Sequence, residues 1–204
     1  MAMKHFVIPI LAFILLSACA NTNETQEPAA TPEEHISQQP AGAEELPETK
    51  ELEVVVEGMT EKVPAVLTRS ELGYAIYVLE GFEFTPEEPN KDMVFHQTFP
   101  DYFMRIEVLS DQTDAEELRS HSEETLRAIG SKVTNRKHDF VDPTLRTNAE
   151  FILQTVGEDS TVEMIGLQWE DQWFRFTLFL PHGEAAEGVS PRFYPMIHSI
   201  VVIQ

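Results

Sequence analysis

The sequence predicts an α+β fold: a mostly antiparallel sheet with one long and one short helix packed on it. Three observations carry that reading. Several short runs are rich in β-branched and aromatic residues, among them Tyr74 to Leu79, Tyr102 to Leu109 and Trp173 to Leu180. A single longer segment, Asp114 to Ile129, carries a helical apolar stripe. Short breaks such as Gly58, Gly81 and Glu170-Asp171-Gln172 separate neighbouring strands.

Each element has its own reason. Leu52 to Val56 and Val63 to Leu67 flank Gly58 and read as two strands, the second placed at a sheet edge by Pro64. Tyr74 to Leu79 follows, and Gly81 breaks it before Phe82 and Phe84. Thr85 to Asp92, with two prolines and three acids, reads as a loop. Met93 to Thr98 is the next strand. In Tyr102 to Leu109 the residues Tyr102, Met104, Ile106 and Val108 share one face, and Arg105 and Glu107 the other. The long helix has Thr113 as its cap and Glu116 at capping-box spacing. Its buried stripe is Ala115, Leu118, Ser122, Thr125, Leu126 and Ile129, and Gly130 ends it. Lys132 to Phe140, Glu150 to Val156 and Val162 to Trp169 are further strands. Phe174, Phe176, Leu178 and Leu180 alternate, marking a core face covered by a helix. A short helix is expected between Ser190 and Ser199, started by Pro191 and kinked or delayed by Pro195. Ile200 to Ile203 closes the sheet.

Length and charge bound the rest. The 204 residues allow one domain and a tail. A net charge of −21 excludes the basic footprint of a nucleic-acid binder. It also opposes a surface lying flat on anionic lipid.

The N-terminus supplies an address. Lys4 precedes an apolar run, Phe6 to Leu16, which is followed by small residues. That is the order of a secretory signal. The run is shorter than the roughly 20 apolar residues a spanning helix needs. Leu16-Ser17-Ala18-Cys19, holding the chain's one cysteine, resembles the lipobox of bacterial lipoproteins. The resemblance implies cleavage between Ala18 and Cys19 and lipid on the Cys19 sulfur, a two-chain anchor that holds stably without spanning. From Ala20 to Lys50 seven glutamates and four prolines face a single lysine, with no aromatic residue. Such a segment cannot bury enough apolar surface to order itself. The expected organisation is therefore a signal peptide over 1–18, a lipid-anchored, disordered, acidic linker over 19–50 and one α+β domain over 51–204. In layout the chain resembles small acidic lipoproteins of Bacillus-like organisms.

Gly73-Tyr74-Ala75-Ile76-Tyr77, then Glu80-Gly81-Phe82, looks like the opening of the PsbP-like superfamily. Glu184-Ala185-Ala186-Glu187-Gly188 and the segment ending His198-Ser199-Ile200 are similar to its last helix and strand. Gly81-Phe82 stands where Gly-Trp is commoner, and the strands before Leu67 are additions. The resemblance implies an α-β-α sandwich serving as a binding or assembly accessory, and it brings no catalytic residue.

Candidate chemistry is sparse. His121 shares a helical face with Glu117 and Glu124, but a zinc site wants three or four ligands, commonly with more than one His or Cys. The acid-rich segments 85–92 and 111–114 lack the Asp-x-Asp-x-Asp-Gly spacing of a calcium loop. Lys132, Arg136, Lys137 and His138 form a basic cluster suited to an acidic partner or an anion. Trp173, Arg175 and Phe179 alternate with the core residues of their strand and read either as an outward interaction patch or as packing beneath a second layer. There is no Gly-x-Ser-x-Gly, no His-Glu-x-x-His and no phosphate-cradling glycine loop. The expectation is thus a non-catalytic, membrane-tethered binding or accessory module on the extracytoplasmic face. It would have a protein partner at the cell envelope and no cofactor or metal. The alternatives are an envelope hydrolase or metal-dependent enzyme with dispersed site residues, and a small solute-capturing lipoprotein.

Overall fold

A computed structural model of the chain describes residues 46–203, apart from the side chain of Glu88. The signal peptide, Ala18, Cys19 and the linker up to Glu45 lie outside the described residues.

Eleven strands form two antiparallel sheets among these residues. The smaller contains β1 (Thr49–Val56), β2 (Met59–Arg69), β3 (Tyr74–Leu79) and β11 (Val201–Val202), in the order β1-β2-β3-β11. The larger contains β4 (Phe82–Glu88), β5 (Lys91–His96), β6 (Phe103–Leu109), β7 (Val133–Asn135), β8 (Phe151–Val156), β9 (Ser160–Trp169) and β10 (Gln172–Pro181). Its order is β4-β5-β6-β10-β9-β8-β7. The helices are α1 (Ala115–Ile129), α2 (Pro143–Asn148), α3 (Ala186–Val189) and α4 (Phe193–His198), with a 3₁₀ turn, Ser190–Arg192, between the last two. The fold is α+β and mostly antiparallel, as the sequence predicts.

The large sheet is covered on both faces. On one face Phe174, Phe176, Leu178 and Leu180 join Tyr74, Ile76, Phe193, Met196 and Ile197 in the main core. On the other, Leu118 and Leu126 of α1 pack on Phe151, Leu153, Val162, Met164 and Trp173. Each buried Leu or Phe contributes about 1.5–3 kcal/mol. A buried polar joint links the sheets: Ser70 and Tyr74 hydroxyls donate to the Asp92 carboxylate at 2.5 and 2.6 Å.

Several expectations are corrected. β1 begins at Thr49, inside the span expected for the linker, and the Tyr77 hydroxyl donates to Pro47 O. β2 is an interior strand despite Pro64. The Pro64 carbonyl accepts from Glu80 N, so its N–H-less side faces a neighbour that has already ended. The expected loop 85–92 is mostly strand, with a tight turn at Asn90 (φ 65°). Only Val133–Asn135 of the expected strand 132–140 is extended and paired. Asp114, not Thr113, caps α1, accepting from Glu117 N at 2.9 Å. Ile129 is 42% exposed rather than part of the stripe. Gly130 has extended backbone; a β-carbon there would strike Thr155 beneath it, so close packing and not a left-handed turn selects glycine. The short helix starts early, at Ala186, and is broken into α3, the 3₁₀ turn and α4 around Pro191 and Pro195.

Gly166 on β9 meets the ring of Phe151, whose exposure is nil, directly across the β8–β9 pair. Gly166→Ala is expected to cost about 1–3 kcal/mol in chemical denaturation by overpacking. Phe151→Leu in the same chain should recover part of that loss, since the two sites share one contact.

Candidate functional site

A largely apolar groove of about 490 Å³ runs between β1, the start of α2 and the start of α4. Its walls are Val55, Val141, Pro143, Pro191, Tyr194 and Pro195, with Glu53 and Asp142 at the rim. Val55 and Val141 are 57% and 75% exposed. A second depression of about 220 Å³ shares Glu53 and Pro195 and adds Lys50, Leu52, His198 and Ser199. Together they follow β1 along its length.

Local sequence builds each wall. Glu57 and Gly58 both have positive φ (51° and 78°), the two-residue turn that joins twisted strands tightly. Asp142-Pro143 is a helix start: the Asp142 carboxylate accepts from Leu145 N at 2.9 Å and Pro143 occupies the first turn. Arg192 fixes the opposite lip, donating to Gly188 O at 2.9 Å and to Glu61 Oε1 at 2.5 Å.

Polar groups lie under the groove. Glu163 of β9 is almost fully buried, and its oxygens accept from Gln154 Nε2 (2.8 Å) and the Tyr194 hydroxyl (3.1 Å). Burial pushes the Glu163 carboxyl up, against smaller opposing effects of Gln154, Tyr194 and the Arg136 charge. Burial, then the Glu163 charge, pushes the Tyr194 hydroxyl well above its ordinary range. For Asp142, burial alone would raise the carboxyl. Contact with His198 and the N–H groups of Leu145 and Thr144 outweighs it and holds the group below the usual range. His198 Nε2 stands 2.9 Å from Asp142 Oδ1, close enough for an ion contact yet poorly aligned for a hydrogen bond.

The residues singled out from sequence fall elsewhere. Trp173 is 7% exposed and sits in the core beneath α1, so it is not an outward aromatic. Arg175 is partly buried and its guanidinium is paired with Glu107 at 2.5 Å and lies 3.1 Å from His121 Nδ1. With Asp114 and Glu117 these residues line a separate polar depression of about 390 Å³. Phe179 is partly buried, its ring stacked on Phe103 at 4.4 Å with the Arg105 guanidinium nearby. The proposed aromatic patch is therefore divided between a core and a covered pair. In the basic cluster, Arg136 bonds Asp139 and Gln154, Lys137 reaches Glu150 O at 3.4 Å, and Lys132 is exposed at the foot of β7. Among the described residues no three His, Cys, Asp or Glu side chains cluster to hold a metal, and no helix is long and apolar enough to cross a membrane.

The groove was not singled out from sequence. Asp142-Pro143 is a local signal that was readable, and Glu163 inside the apolar run Val162 to Leu167 is another. The convergence of residues 53–55, 141–143 and 191–195 has no local signal.

The described chain is thus a mostly antiparallel α+β domain with an apolar groove along an outer strand. It belongs to the family described as Domain of unknown function (DUF8580), whose model matches residues 46–201. No curated protein matches it. Among solved structures, a mutant of the protein Mog1 is similar at a TM-score of 0.47 and 12% identity, over 69% of this chain and 96% of that one. Cyanobacterial PsbP (CyanoP) from Synechocystis sp. PCC 6803 is similar at 0.42 and 13%, over 66% and 89%.

Because its carboxyl is raised in the fold, Glu163 favours the folded state below its unfolded range and loses that contribution as pH rises through its folded value. Glu163→Gln is therefore expected to raise the melting temperature at pH 8 by about 2–4 °C. The difference should shrink toward zero near pH 4, as read by thermal denaturation across that range.

Proposed function

We propose that the protein is a membrane-tethered lipoprotein of the extracytoplasmic face that acts as a non-catalytic binding or accessory module. Cys19 carries the lipid, the acidic stretch that precedes the domain, up to Glu45, spaces it from the membrane, and the β1 groove receives a partner at the cell envelope.

One observation carries the docking half of this reading. The groove presents apolar side chains and prolines, the Tyr194 hydroxyl beneath it is engaged with the buried Glu163, and Glu53 stands exposed along β1. Side chains arranged this way offer contact area with little desolvation penalty. The raised Tyr194 and Glu163 groups are held by mutual bonding, a structural use of a perturbed titration. The anchoring half rests on Leu16-Ser17-Ala18-Cys19 after an apolar run, and the negative net charge favours attachment by lipid over attachment by the domain surface.

Mass spectrometry of the chain from native membranes is expected to show a terminus at Cys19 bearing acyl mass. Cys19→Ala should move the protein into the soluble fraction. A pull-down from native membranes with the lipidated chain, compared with Cys19→Ala, should lose partners that need the anchor. An intact leader, or a Cys19 terminus without acyl mass, would remove the tether from this account.

A further inference from the structure

The groove has a feature that apolar docking alone does not use: one wall is a strand edge. Leu67 N donates to Glu48 O at 2.9 Å, and the register runs Lys50↔Ala65, Leu52↔Val63, Val54↔Glu61, Val56↔Met59. In an antiparallel pair the residues alternate between exchanging both bonds and exchanging none. The even-numbered residues of β1 therefore spend their N–H and C=O on β2. Those of Glu51, Glu53 and Val55 point away from it, and β1 is the outermost strand of its sheet. No hydrogen-bond partner for them is present among the described residues.

The side chains add a pattern. Leu52 and Val54 are buried on the face that packs against α4, whereas Glu51, Glu53 and Val55 stand exposed on the other. A strand laid along β1 would thus have one set of alternate side chains entering the trough of Val141, Pro191, Tyr194 and Pro195. Its other set would lie beside Glu51 and Glu53. Glu57 extends the acidic run at the turn. Lys62, opposite Glu53, offsets part of it. Lys50 turns away over the Tyr77 ring at 3.9 Å, and His198 is engaged with Asp142. A second copy paired antiparallel about Glu53 would set like charges side by side, which is unfavourable.

We infer that β1 is a strand-addition edge for an extended polypeptide segment that alternates apolar residues with lysine or arginine. This rests on the binding-module reading above and names its mode and partner chemistry. Backbone bonds to residues 51, 53 and 55 supply the affinity, the trough selects the apolar residues, and the glutamates select the cations.

The test uses the full chain in neutral detergent micelles and a dye-labelled, end-capped Lys–Val alternating peptide of about eight residues. Binding by anisotropy is expected, with amide shifts concentrated on residues 49–55. A Glu–Val peptide, and a Lys–Val peptide N-methylated at alternate residues, should each bind about tenfold more weakly. Val55→Pro removes one outward N–H without touching the β1–β2 bonds and should weaken binding about tenfold. Glu53→Lys should narrow or invert the preference for lysine over glutamate. Equal binding of the methylated peptide overturns the inference, as do shifts centred elsewhere or a dimer that Val55→Pro dissolves. If Val55→Pro fails to fold, the methylated peptide on the unaltered chain decides. A peptide that fails leaves the anchored module standing with another docking face, whereas a missing acyl group leaves the peptide result intact.

Discussion

β10 is the strand on which the rest depends, because both of its faces are enclosed and by unlike partners. Phe174, Phe176, Leu178 and Leu180 seal it to the small sheet and α4. On the reverse, Trp173 lies under α1, and Arg175 and Phe179 are held by Glu107 and Phe103. It also sits at the centre of the large sheet, between β6 and β9. A shift of its register by one residue would exchange aromatic core for an arginine on one face. That makes its alternation the constraint on β5, β6, β8 and β9 in turn.

The same two-sided burial explains what the sequence disclosed and what it withheld. Alternation in 174–180 showed which residues share a face, and the stripe Leu118, Ser122, Leu126 showed a helix with one apolar side. Neither shows that the helix lies over the opposite face of that strand. Trp173 therefore read either as a surface aromatic or as packing beneath a second layer, and it is core. Pro64 was misleading for a related reason: the exclusion of proline from interior strands applies only where a neighbour needs its N–H, and β3 has ended there. α2, six residues long, is too short for a helical period to register, though its Asp-Pro start is visible.

The candidate groove was hidden more thoroughly. Its residues come from a strand edge, a helix start and a broken helix, separated by most of the domain's length. Their meeting is a property of sheet order. Glu163 was visible as a lone acid in an apolar strand, but its partners Gln154, Tyr194 and Arg136 lie on separate segments. The family match shows kinship over residues 46–201, and the described geometry is what gives that stretch a surface to question.

Arg192 has a mechanical meaning for that surface. Its guanidinium clamps the first hairpin at Glu61, opposite Val54, while holding the carbonyl of Gly188. Glu61 is partly open to solvent, so the clamp is an electrostatic clasp exposed to dissolved ions. Added salt screens that contact, so the hold of the broken helix on the first hairpin weakens as ionic strength rises.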